Sequence, residues 1–161
     1  MSTDRADSAE SSQPLTSEQR AILDLVLNLI VPPSADGRMP GAAEVGVLAY
    51  LAAEAPDALP LLRQELDQLD LRSRERFARG YAELEQAERK NQIEAMRAQA
   101  PSFLGRLAME TLACYYQHDR VLAGLGREAR PPYPKGYQVA QGDLSLLDPV
   151  RARGKIYRDA P

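Results

Sequence analysis

A chain of 161 residues, 44% hydrophobic and 27% charged, is long enough for one domain with its own core and ordinary in composition for a globular protein. Its formal net charge of −3 is unevenly spread: residues 127–161 hold seven Lys/Arg against four acids, which leaves −6 on residues 1–126. That charge excludes nucleic acid as the partner of the larger part, because phosphate binding needs a basic face. No run approaches the roughly 18 apolar residues of a membrane span, so membrane insertion is not expected. The single cysteine, Cys114, excludes an intramolecular disulfide. With no Trp and two Phe, the core must be built from aliphatic side chains.

Residues 1–14 are rich in Ser, Asp and Glu and carry only small apolar side chains, the composition of a disordered lead-in. Order is expected from Leu15. The run T-S-E-Q at Thr16 is a capping box, with Gln19 reaching back to the cap and Leu15 placed as a staple. Ile22, Leu23, Val26, Leu29 and Ile30 then follow helical spacing, and Leu25 and Leu27 widen the apolar face, which predicts burial on more than one side. Pro32-Pro33 ends this helix, since proline lacks the N–H and pushes the preceding residue out of helical geometry.

A turn-rich loop, SADGRMPG, leads to a helix expected over residues 40–55 with Val45, Leu48, Ala49 and Ala52 inward. A third helix is expected over 57–71, striped by Leu59, Leu62, Leu66 and Leu69. Residues 72–99 are more charged but keep Phe77, Tyr81, Leu84, Ile93 and Met96 at sparse helical spacing. They predict one long solvated helix or two with a break near 88–91. The last long helix is expected over 103–116 with Phe103, Leu104, Leu107, Thr111 and Tyr115 on one face, and a short one over 119–125. No segment alternates convincingly like a strand. The expected class is all-α, a compact bundle of five to six helices over residues 15–126, followed by an extended, irregular C-terminal tail over 127–161.

That tail contains five of the twelve prolines, three of the seven tyrosines and several large aliphatic residues. Disordered segments are usually poor in such side chains, so the tail predicts a surface for it to lie on. The candidate anchors are Tyr133, Pro134, Tyr137, Leu146, Leu147 and Tyr157, because aromatics dominate binding hot spots. Arg151, Arg153 and Arg158 are placed to pair with acids on a partner.

Chemistry is sparse elsewhere. His118 is the only histidine and lies four residues after Cys114, a helical spacing that permits contact. Catalytic Cys–His pairs draw on separate elements with a third group orienting the base, so the reading favoured here is a helix end, with Asp119 capping the next turn. One His and one Cys make no zinc site without two further ligands. Tyr115 and Tyr116 fit a pair that is half core and half interface. Gly124 and Gly126 lack the spacing of a phosphate loop. RSRER at residues 72–76 fits a solvated helical face. No catalytic, metal or cofactor-binding residue is assigned.

Two stretches resemble a known family. LTSEQRAILDLVLNLIVPPSADGRMPGAAEVGVLAYL, residues 15–51, resembles the opening of the gluconate 2-dehydrogenase subunit 3 family: a helix ending in a Val-Pro-Pro step, an acidic-Gly loop, then a Pro-Gly-Ala helix with Gly46. YYQHDRVLAGLGREARPPYPKGYQVAQGDLSLLDPVRARGKIYR, residues 115–158, is similar to the close of members that accompany flavin dehydrogenases. The resemblance implies a non-catalytic accessory subunit that supports folding, stability and, in some members, export of its partner. It implies as partner a large FAD-dependent oxidoreductase subunit of the glucose-methanol-choline type, acting on sugars, sugar acids or related alcohols. A cytochrome subunit is a further partner in such complexes. FAD is expected in the partner and no cofactor in this chain. Many members begin with a twin-arginine signal, and residues 1–20 show none, so the sequence as written predicts a cytoplasmic protein, periplasmic only through a signal-bearing partner. The alternatives are a stand-alone helical interaction protein or assembly chaperone, and a small enzyme using Tyr115, Tyr116, His118 and Asp119.

Overall fold

The structure, a computed structural model, describes residues 15–130, 136 and 141–155. The chain divides into two units, Met1–Ala129 and Arg130–Pro161. The described residues form seven α-helices and four short 3₁₀ turns, with no strand among them. The class is all-α. The larger unit holds α1 (Ser17–Ile30), α2 (Val47–Glu54), α3 (Leu59–Phe77), α4 (Gln86–Gln99), α5 (Pro101–Gln117) and α6 (Asp119–Gly124).

The N-terminus of α1 is built as its sequence demands. Thr16 Oγ1 accepts from the Gln19 N–H at 3.1 Å, and the Thr16 N–H donates to Gln19 Oε1 at 3.0 Å. Gln19 Nε2 also donates to Asp67 Oδ1 at 2.8 Å, which ties α1 to α3. Ile22, Leu23, Val26 and Leu27 are buried. Leu29 and Ile30, expected in the same core stripe, are only half covered.

Beyond α1 the Pro-Pro loop closes on itself. The Ser34 N–H donates to the Met39 carbonyl at 3.1 Å and the Ala42 N–H to the Val31 carbonyl at 2.9 Å. Asn28 Oδ1 accepts from the Ala43 N–H at 3.2 Å. Gly41 passes so close that a Cβ there would lie 2.4 Å from Asn28 Oδ1. Pro40 is fully buried, and its carbonyl accepts from the Tyr115 hydroxyl at 2.8 Å. The stretch from Val31 to Glu44 is therefore a closed staple joining α1 to α5.

The expected helix over 40–55 is corrected to a 3₁₀ turn, Ala42–Glu44, then α2. Gly46 separates them at φ 76°, a conformation that costs an L side chain about 1–2 kcal/mol. The interruption rotates the helix: Val45, Val47 and Leu51 are buried, while Ala49 and Ala52 face water. The helix expected over 57–71 runs on to Phe77, so RSRER lies within α3. The break expected near 88–91 falls earlier, where Ala78 takes a left-handed φ of 54°. The buried Asp70 fixes it, since its Oδ1 accepts from the Tyr81 N–H at 2.8 Å and its other oxygen from Arg74. Glu88 closes the start of α4 by accepting from the Glu85 N–H at 2.8 Å.

The core sits where α1 meets α3, α5 and the 3₁₀ turn Tyr81–Glu83. Leu62, Leu66 and Leu69 from α3, Met96 from α4, and Leu107, Thr111 and Tyr115 from α5 fill it. Thr111 and Ser73 are polar but satisfied: each hydroxyl donates to the carbonyl one turn earlier, Leu107 at 2.7 Å and Leu69 at 2.8 Å.

Candidate partner-binding surface

Within the second unit, residues 144–152 are helical, between irregular stretches at 141–143 and 154–155. Asp143 starts a 3₁₀ turn, Leu144–Leu147, by accepting from the Ser145 N–H at 3.0 Å and the Ser145 hydroxyl at 2.6 Å. Those bonds, the hydroxyl first, hold the Asp143 carboxyl below its ordinary range. The turn runs into α7 (Asp148–Ala152), where Pro149 supplies the fixed φ that suits a first turn. Gly154, at φ 71°, follows it.

This coil buries none of its large side chains. Leu144, Leu146, Leu147 and Val150 are between 45% and 74% exposed. Arg151 and Arg153 are exposed beside them, and Arg151 pairs with Asp148 at 3.1 Å on the surface. Four of the expected contact residues, Leu146, Leu147, Arg151 and Arg153, thus fall within eight positions of one helical element. Tyr133, Pro134, Tyr137, Tyr157 and Arg158 lie outside the described residues. Leu144 and Val150 join the element, and the helical spacing of Leu144, Leu147 and Val150 was the signal that reveals them.

The cluster at the end of α5 is engaged otherwise. The Tyr115 ring stands edge-on to Tyr116, with centroids 5.4 Å apart, and its buried hydroxyl is committed to Pro40. Burial pushes that hydroxyl's pKa up. His118 caps α6, its Nδ1 accepting from the Arg120 N–H at 3.3 Å. The cap is His118, where the sequence pointed to Asp119. Asp119 sits in the first turn, where a carboxylate suits the helix dipole. The Cys114 thiol is buried, donates to the Val45 carbonyl at 3.5 Å and has its pKa raised by desolvation. Thiol and imidazole therefore serve backbone groups in different places. Among the described residues no three His, Cys, Asp or Glu gather to hold a metal ion, and no helix is long and apolar enough to cross a membrane.

A second surface lies on the larger unit. The C-terminal half of α1, the outer face of α4 and the start of α5 leave between them a groove of about 420 Å³. Leu29, Ile30, Ile93 and Leu104 floor it, each half buried, and Lys90 and Arg97 stand on its α4 edge. Sequence periodicity assigned Leu29, Ile30 and Leu104 to the core and the wide apolar face of α1 to burial on more than one side; the structure leaves these three half covered.

No curated protein and no solved structure matches the chain. A family model described as gluconate 2-dehydrogenase subunit 3 matches residues 17–125, well over half the chain. The match takes in nearly all of the first resembling stretch and α1 to α6, and it ends before the tail. The chain belongs to the gluconate 2-dehydrogenase subunit 3 family.

Proposed function

We propose that this chain is the non-catalytic small subunit of a flavin-dependent oxidoreductase acting on sugars, sugar acids or related alcohols. Its partner is the large, FAD-carrying subunit of the glucose-methanol-choline type, bound through the helical body and the C-terminal tail. FAD belongs to that partner, and the small subunit stabilises the assembly. Membership of a family named for a dehydrogenase subunit supports an accessory role.

The observation that carries the reading is the exposed aliphatic face of Leu144, Leu146, Leu147 and Val150 on a capped helical element. A side chain of this size gains roughly 1.5–3 kcal/mol when fully removed from water. Four together make an apolar patch whose burial can offset part of the cost of association. Arg151 and Arg153 beside them add electrostatic steering toward an acidic surface.

Co-expression with the large FAD-dependent subunit of the same genome tests the proposal. Full-length chain should co-purify with it and raise its soluble, flavin-loaded yield. Truncation after Gly126, or Leu146→Asp with Leu147→Asp in the full chain, should lower both. Equal support from full-length and altered chains defeats the role given to the tail. Turnover of a sugar or alcohol by the isolated chain, lost in His118→Ala, defeats the non-catalytic reading.

A further inference from the structure

We infer that the groove between α1, α4 and α5 seats an aliphatic segment of the large subunit that carries a carboxylate beside its apolar residues. The inference rests on the proposed subunit role and adds a second, separate contact to the tail.

Three observations lead there. The groove is floored by Leu29, Ile30, Ile93 and Leu104, large side chains that the fold leaves half covered although each belongs to a well-formed helix. At about 420 Å³ it has the size of recognition pockets, which span roughly 300–1,000 Å³ and are mostly apolar with a few polar groups. The floor supplies affinity and the rim orientation.

The rim decides the chemistry of the occupant. Residues 1–126 carry a net charge of −6, yet this edge presents Lys90 and Arg97 against Glu94 alone. Glu94 and Arg97 meet at 3.6 Å in an exposed pair, the kind that contributes little. Arg97 can therefore turn to a carboxylate of a partner with small loss. Lys90 and Arg97 are seven residues apart on α4 and line the same groove, so both face one bound segment. A neutral or basic segment would leave these cations unmatched; an aliphatic helix or strand with an acidic residue at its edge satisfies floor and rim together.

The test uses the complete chain co-expressed with the large subunit. Lys90→Glu with Arg97→Glu changes only exposed positions and should leave the helical circular dichroism unchanged. It should weaken the complex about tenfold, with a smaller salt dependence than the native pair. Carbodiimide, which joins an amine to a carboxylate at zero length, should link Lys90 to an Asp or Glu of the large subunit. Affinity unchanged within twofold, or crosslinks that avoid Lys90, overturns the groove while leaving the subunit role intact. Loss of all binding by the native chain overturns both. A dimer of the isolated chain that the double variant splits also overturns it, since the groove then seats a second copy.

Discussion

In the larger unit, Leu62, Leu66 and Leu69 of α3 are 1–3% exposed. In the second unit, Leu146 of the same residue type is 74% exposed, although it too lies in a helical turn with a proper cap. Local sequence makes both coils; only the larger unit has enough apolar faces to cover its own leucines. Cys114, Tyr115 and His118 in that unit hold backbone groups, whereas Leu144, Leu146, Leu147 and Val150 of the second unit are exposed. The contrast separates residues whose loss is expected to harm the fold from residues whose loss is expected to harm the proposed contact.

The largest expected effect breaks or confirms that separation directly. Leu62→Ala removes a side chain that is 1% exposed and should cost about 2–5 kcal/mol in chemical denaturation, the range for a buried leucine that leaves a cavity. Leu146→Ala should stay within about 0.5 kcal/mol, as exposed positions do. A comparable loss at Leu146 would mean that its side chain is packed in solution, and the proposed contact surface would be lost.

Next comes the staple between α1 and α5. Gly41→Ala places a Cβ 2.4 Å from Asn28 Oδ1, so the amide must swing away and the Ala43 N–H loses its acceptor. The expected cost is about 1–3 kcal/mol. Asn28→Ala removes the nearest of these contacts and leaves only Pro33 Cδ at 3.0 Å, so Gly41→Ala in that background should cost less than in the native chain. Full additivity would refute the close approach as the reason for glycine.

These examples also show what a sequence can reveal. Thr16 and Gln19, Pro32-Pro33 and the leucine stripe of α3 act through neighbours within one turn, and periodicity or capping rules recover them. Ala78 ends a helix at a backbone angle held by a contact from outside its own turn: Asp70 holds the Tyr81 N–H across eleven residues, which no local pattern contains. Of the contact surface, the apolar excess of the tail was legible, and so was its basic flank. The coiling of Leu144–Leu147 was not anticipated, although Asp143 before Ser145 and Pro149 were signals for it. The groove was illegible because it is a failure of three helices to cover one another, and half-burial of Leu29 or Ile93 depends on packing that spacing does not encode.

Acid should act on the staple before the core. The Ser34 hydroxyl and then the Arg38 N–H hold Asp36 below its ordinary pKa, and the Gly41 N–H and then Arg120 do so for Glu44. Both are lower folded than unfolded, so their stabilisation is complete above the ordinary values of 3.8 and 4.5. It is lost as pH falls through the lowered values. Thermal melts of the full chain should therefore decline below about pH 4.5, and Asp36→Asn with Glu44→Gln should flatten that decline. An unchanged acid limb in the double variant would place the acid sensitivity elsewhere.

The smallest effect concerns how each unit ends its coils. In the tail the positive φ angles belong to Gly136 and Gly154, and in the body to Gly37, Gly46 and Gly126, but α3 ends on Ala78 at φ 54°. An L residue there carries about 1–2 kcal/mol of strain. Asp70, Arg74 and the Tyr81 turn hold it in place. Ala78 is exposed, so glycine would relieve strain without opening a cavity, while raising the entropy of the unfolded chain by about 0.5–1 kcal/mol. Ala78→Gly should therefore stabilise by a few tenths of a kcal/mol to about 1 kcal/mol, read as a higher denaturation midpoint at constant m. In an Asp70→Ala background the Tyr81 N–H has lost its acceptor and Arg74 its partner, and the same substitution should gain less. A loss of stability in Ala78→Gly would show that the left-handed joint carries no strain, and that the boundary between α3 and α4 is set by the turn chemistry of Gly80 to Glu83 alone.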